Sequence, residues 1–378
     1  MLQSILMILA DMRNQSKKPM DKGILMLVVF MTCFGMVMIW SASMYNAKLA
    51  GNEFYYVAKQ FKFAAAGFFL MLIMSVCNYN YLRKISDGAI LITLVLLVGV
   101  HFLGDDSAVN GAVRGIEVFG FTIMPAEFAK VSILMFMAKE IDKRTEELSS
   151  FKNFVLLGIF LVVFAVLIYL QPALSTAIIV SGLIIGMYFM AGGNLFYIAA
   201  MGSSVLAAVI VFIRSNEWRM QRILAYQDPW QDILASGWQP AHSLMALGAG
   251  GFFGQGIGNG SAKMKFLPEP QNDYIFSIIG EEAGLLGCTL LIAVYFILIF
   301  KIVKVSLAAS DTFGRMLCSG MALLLGIQVI LNIAVVTNVL PPTGVMLPFI
   351  SAGGSSLITL MLAAGIVLNV SRNAKYTK

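Results

Sequence analysis

Apolar runs of about 17 to 25 residues, the length that crosses the hydrocarbon of a bilayer, alternate along this chain with short polar or Gly/Pro-rich breaks. Ten candidate segments appear, at about 23–40, 61–77, 88–102, 125–137, 154–170, 174–191, 195–212, 284–300, 313–336 and 355–370, a few of them shorter than that length. The pattern predicts an all-α polytopic membrane protein, ten transmembrane helices forming a single domain over 1–378. The fourth segment is the weakest, because it is short, begins on Pro125 and carries Glu127 and Lys130. Hydropathy alone would also allow a re-entrant or interfacial element there.

Composition agrees with that pattern. The chain is 59% hydrophobic and 12% charged, with a mean hydropathy of +0.84, against about 25% charged residues in a soluble domain. A net charge of +6 would suit a nucleic-acid partner, but the charges lie in short loops between apolar runs, where they encode orientation instead. One set of loops holds 16 Lys and Arg and the other nine. That bias puts both termini in the cytoplasm and a large loop, about 213–280, outside the cell membrane between the seventh and eighth spans. The N-terminal LQSILMILA is followed by its charges and by no small-residue cleavage site, so no cleaved signal peptide is expected. The four cysteines fall inside apolar runs without metal-ligand spacing.

With that orientation the polar segments 104–124, 171–173, 213–280 and 337–354 all fall on the outer face. Among them KMKFLPEPQNDYIFSIIGEEAGLLG (263–287) holds four of the chain's 20 carboxylates: Glu269, Asp273, Glu281 and Glu282. Pro268 and Pro270 delay the next helix and leave Asp273 at a loop-to-helix junction. An ionisable group at a membrane edge is a functional candidate, and capping the following helix is the alternative role for it. Glu127 and Lys130 stand three apart on one helix face, as a structural ion pair or as groups that meet substrate. Gln328 and Asn332 have the spacing to bond neighbouring helices. PPTGVMLPFISAGGSS breaks a helix in a way tolerated at membrane depth where it lines a cavity. The glycines of SLMALGAGGFFGQGIGNG suit close packing or a re-entrant element, and without a preceding strand or a GK[ST] they form no phosphate loop. AYQDPWQD suits an interfacial aromatic anchor. His101 and His242 stand without partners at ligand spacing.

These segments, with IWSAS at 39–43, resemble the SEDS family (shape, elongation, division and sporulation) of bacteria, and its division branch FtsW more than its elongation branch RodA. The resemblance covers almost the whole chain. It implies ten transmembrane helices in the cytoplasmic membrane, placed at the division septum by the FtsW branch. The implied activity is polymerisation of lipid II, a lipid-linked disaccharide-pentapeptide, into glycan strands. The implied partners are a class B penicillin-binding protein that cross-links the product and other divisome proteins. The family's catalytic aspartate in PEPQ(N/T)D(F/Y)IF maps onto Asp273.

Joining two sugars at the expense of a diphosphate needs a base for the acceptor's 4-hydroxyl, a role that partial burial favours in a carboxylate. The departing diphosphate needs positive charge. A divalent cation such as Mg2+ or Mn2+ could provide it, as could Arg114, Lys130, Lys263 and Lys265; Glu127 and Ser351, the latter in the retained TG..LPFIS frame, complete the candidate substrate contacts. The chain departs from the family at several places. Gly115 replaces a Trp, Ala173 an Asp, Met124 and Ala126 a Gln and a Ser, His242 a Gln and Ala352 a Tyr. A lipid II flippase, or a scaffold that recruits a transpeptidase, remains an alternative reading.

Overall fold

The computed structural model describes residues 18–49, 51–103, 115–118, 121–145, 148–169, 171, 173–215, 217–264 and 267–375. Among them the chain forms twelve helices and one two-stranded ribbon. In chain order these are α1 (Lys22–Leu49), α2 (Tyr55–Val76), α3 (Asn80–Leu103), β1 (Ile116–Val118), β2 (Phe121–Ile123), α4 (Pro125–Lys143), α5 (Phe151–Tyr169), α6 (Leu174–Met190), α7 (Leu195–Arg214), α8 (Glu217–Gln227), α9 (Trp238–Gly250), α10 (Ile275–Ala308), α11 (Thr312–Val336) and α12 (Gly354–Asn373). Each of the ten apolar segments lies on a helix of this series. Seven of the described helices are long and apolar enough to cross a membrane.

Apolar residues around a whole helix mean burial on every side, and α12 is the extreme case: 83% of its apolar window is inside the protein, against 11% for α7. It packs closest on α2, where a Cβ on Gly365 would come within 2.5 Å of the Met71 carbonyl. The weak fourth segment is a 19-residue helix, α4, buried on most of its faces, which explains its charges: Glu127 and Lys130 face protein rather than lipid.

One end of the bundle is tied by ion pairs. Arg83 joins Asp142 and Asp311, Lys301 joins Asp21, and Lys18 meets Asn373. The opposite end gathers the described parts of the four polar segments. Ser355 donates to Thr122 O on the ribbon and accepts from Met124 N, and Ser175 donates to Thr343 O. The pairing of Ile116 with Ile123 in an antiparallel ribbon was not expected from the sequence reading, although IEV and FTI each alternate apolar with polar.

Two boundaries differ from the sequence expectation. The 213–280 segment contains α8 and α9, and α10 begins at Ile275 rather than near 284. The physical reason is that Glu281 and Glu282 are buried with partners, so hydropathy counts as loop what is helix.

Candidate active site

Gly284 breaks α10 with φ 67° and ψ −169°, a conformation open to glycine. The break exposes backbone groups that the Gly-rich loop after α9 takes up. Gln255 N and Gly256 N donate to the carbonyls of Glu281 and Glu282 at 3.0 and 2.9 Å, while Leu285 N and Leu286 N donate to Gly251 O and Phe252 O at 2.9 and 3.1 Å. The chains pass so closely that a Cβ on Gly284 would lie 2.4 Å from Gly254 N. Irregular backbone at this level is thereby satisfied from within the protein.

The same loop neutralises two of the four carboxylates. Glu281 accepts from Ser261 N at 2.7 Å, Ser261 Oγ at 3.0 Å and Ala262 N at 3.1 Å. Glu282 accepts from Lys263 Nζ at 2.7 Å and from Ser41 Oγ of α1 at 2.6 Å. Both carboxylates are 1% exposed and Lys263 is 3% exposed. Lys263 is therefore a buried strut between α1, the loop and α10, which corrects its expected place as an available cation. Lys130 likewise lies 2.6 Å from Glu127, itself buried. Arg114 and Lys265, and Pro172 of the QPALSTA segment, lie outside the described residues.

Asp273 has other surroundings. The prolines keep 268–272 out of helix; Asn272 N donates to Glu269 O at 3.0 Å and Asn272 Nδ2 to Glu269 Oε2 at 2.6 Å. Tyr274, not Asp273, is the N-cap of α10. Asp273 is half-buried and its Oδ2 rests against the 341–344 turn, 3.0 Å from where a Cβ on Gly344 would stand. Asn332 of α11 locks the two loops together: its Nδ2 donates to Asp273 O at 2.8 Å and to Val345 O at 2.6 Å. Ala352 N donates to Gln271 O at 2.8 Å. Ser351 accepts from Leu347 N at 2.8 Å, and Gln60 of α2 donates to Ser351 O at 3.3 Å. Ser351 thus shapes the loop that faces Asp273.

Two further signs mark this region. Among the described residues the non-glycines with positive φ are Glu269, Asn338 and Phe349, all within the two loops that frame Asp273, where backbone strain is a signature of function. Twelve described buried side-chain atoms find no hydrogen-bond partner, and six of them cluster here: Gln271 Oε1, Tyr274 OH, Gln328 Oε1, Asn332 Oδ1, Asn338 Oδ1 and Thr343 Oγ1. These atoms are shielded from solvent and mark unpaired polarity beneath the two loops.

Arg222 of α8 is the site residue that sequence reasoning counted only toward orientation. Its Nη1 donates to Pro342 O at 3.4 Å, two residues from the glycine that touches Asp273. Burial pushes the Tyr274 phenol up, the Asp273 charge adds to the rise and the Arg222 charge opposes it. Tyr274 therefore stays protonated at neutral pH.

A half-buried carboxylate held by two strained loops, with a guanidinium bonded to one of them, is the candidate site of this helical bundle. Residues 22–376 match the model of the FtsW/RodA/SpoVE cell cycle protein family, and the chain belongs to that family. It is 39% identical over 357 residues to the "Probable peptidoglycan glycosyltransferase FtsW" of Geobacter sp. (strain M18), covering 93% of this chain and 96% of that one. It is 35% identical to the stage V sporulation protein E of Bacillus subtilis (strain 168), covering 94% and 98%. Among solved structures, the rod shape determining protein RodA of Thermus thermophilus aligns with a TM-score of 0.71 at 23% identity, over 95% of this chain and 99% of that chain. A structure described as "Structural coordination of polymerization and crosslinking by a peptidoglycan synthase complex" aligns with a TM-score of 0.77 at 24% identity, over 94% and 98%. The fold is RodA-like.

Proposed function

We propose that this protein is a peptidoglycan glycosyltransferase that polymerises lipid II into glycan strands at the outer face of the cytoplasmic membrane, with Asp273 as its base. The observation that carries the reading is the placement of Asp273 between the 341–344 turn and the start of α10, half-buried and held through Asn332. Its relatives' names support the same reaction.

In this reaction the acceptor's 4-hydroxyl oxygen forms the new bond to the donor's anomeric carbon. The bond from that carbon to the diphosphate breaks, lipid diphosphate leaves with the electron pair, and the hydroxyl proton passes to Asp273. Positioning supplies much of the acceleration, and here it comes from the clamp of Asn332 on both loops. No three His, Cys, Asp or Glu side chains converge among the described residues. A divalent ion held mainly by the substrate's own diphosphate would need no such cluster.

The chain works as ten transmembrane helices with both termini cytoplasmic, a topology supported by the bias of Lys and Arg among the loops, 16 on one side against nine on the other. Its partners in this reading are a class B penicillin-binding protein and other divisome proteins at the septum.

The test is strand synthesis from purified lipid II, resolved on a gel, with the cognate transpeptidase present. Wild type gives a ladder, and Asp273→Asn gives none while still binding the transpeptidase. Lipid II crossing sealed vesicles unpolymerised would establish a flippase instead. Division sustained by Asp273→Asn would establish a scaffold.

A further inference from the structure

AYQDPWQD, expected to anchor in the membrane interface, lines an open cleft of about 790 Å³ between α8 and α9. Its walls include Arg222, Gln221, Gln231, Asp232, Trp238 and Gln239. Pro268, from the segment that leads to Asp273, closes one side. Arg222 links the cleft wall to the candidate site, since it bonds Pro342 O in the turn against which Asp273 rests.

We propose that this cleft binds the sugar rings of the glycan strand next to the reacting end, an inference that rests on the polymerase reading above. Three observations favour a saccharide. The wall pairs an aromatic face with planar amides and a guanidinium, groups that match the apolar faces and the hydroxyl and acetamido edges of pyranose rings. The volume is in the range of a site for a ligand of a few rings. Trp238 is also rigidly held: its ring stacks on His242 at 4.2 Å and 29°, and the His242 ring nitrogen Nδ1 lies 2.8 Å from Trp238 O. His242 stands where the family resemblance gives Gln, so this chain builds the platform from its own departure. Asp232 holds the surrounding turn by accepting from Ser236 N and Oγ at 3.2 and 3.0 Å.

Two residues link recognition to chemistry. Arg222 lines the cleft and bonds Pro342 O of the turn beside Asp273, and Gln239 follows Trp238 on α9. A strand seated here keeps its reacting end near Asp273 between additions, so the cleft sets product length rather than the bond-forming step.

The experiment titrates short peptide-free glycan oligomers, with free stem peptide as control, onto the full-length protein in lipid nanodiscs and follows Trp fluorescence and calorimetry. Saturable oligomer binding is expected, about tenfold weaker in Trp238→Ala and unchanged in Asp273→Asn. A Gln221→Ala/Gln239→Ala variant, which leaves the Trp238–His242 stack intact, is expected to weaken binding as well and covers a folding failure of Trp238→Ala. Both variants are expected to shorten the strands in the gel assay. No saturable binding by wild type overturns the inference, as does equal binding by both cleft variants, binding of stem peptide alone, or protection of the cleft by the transpeptidase without any oligomer binding. Binding is measured without turnover, so a failure of the polymerase assay and a failure of this site are separate results.

Discussion

Within one stretch of fourteen residues the chain carries two pairs of carboxylates with opposite fates. Glu281 and Glu282 are on the buried face of α10, each 1% exposed and bound by backbone amides, hydroxyls or Lys263. Glu269 is exposed and lies between Pro268 and Pro270, and Asp273 is half-buried on the non-helical segment that follows them. The deeper charges look the more remarkable by cost of burial, yet their neighbours take up that cost and turn them into struts. In the proposed reaction chemistry falls to the shallower Asp273, which is half-buried and which strained loops hold in place.

Removing one charge from each pair separates the two roles most sharply. Asp273→Asn is expected to lower strand synthesis by about 10²–10⁴-fold while changing unfolding stability by no more than about 0.5 kcal/mol. A loss of stability on the scale of a core mutation would instead make Asp273 part of the frame. Glu282→Ala reverses the pattern. It strands Lys263 and is expected to cost about 3–5 kcal/mol, seen in thermal unfolding of the protein in detergent. Replacing both partners, Glu282→Leu with Lys263→Met, is expected to recover most of that loss, because a buried pair contributes little beyond an apolar isostere. If Glu282→Ala kept its stability and lost activity, the contrast between strut and catalyst would collapse.

How far the sequence carried this follows from the same contrast. Long apolar runs marked all ten long helices, and prolines placed Asp273 at the start of α10, because those signals are local. The hydrophobic span was placed only from 284, because Glu281 and Glu282 find their partners in residues 261–263 and in Ser41, at distances along the chain that no pattern encodes. Lys263 was credited as an available cation for the same reason, whereas the pairing of Lys130 with Glu127 was one of the two roles their spacing offered. Asn332 was expected to bond a neighbouring helix, and bonds the backbones of two loops instead. Arg222 was hidden in a long loop; its one sequence signal was its place just before AYQDPWQD, a polar and aromatic run with more planar amides than an interfacial anchor needs.

Asn332 tests whether the exposed pair depends on its loops. Asn332→Leu leaves the carbonyls of Asp273 and Val345 without their donor, at about 1–3 kcal/mol for buried unsatisfied groups. The expected signature is a fall in kcat of about 10–100-fold with KM nearly unchanged, since the loss is of alignment rather than of contact with substrate. Asn332→Gln, which keeps a donor on a longer arm, is expected to restore part of kcat. An equal fall in stability with kcat intact would reduce Asn332 to a packing residue.

The smallest effect probes the strain itself. Glu269 holds φ 46°, a conformation that costs a residue with a Cβ about 1–2 kcal/mol relative to glycine, and its side chain returns something by accepting from Asn272 Nδ2. Glu269→Ala loses that bond and keeps the strain, whereas Glu269→Gly loses the bond and releases the strain, against about 0.5–1 kcal/mol of added freedom in the unfolded chain. Glycine is therefore expected to be the more stable of the two variants by about 0.5–1 kcal/mol in thermal unfolding, and the less active, because the segment before Asp273 is then free to relax away from the 341–344 turn. Equal activity in the two variants would mean that the strain at Glu269 does not hold Asp273 in place, and that Asn332 and the Ala352–Gln271 bond carry the alignment alone.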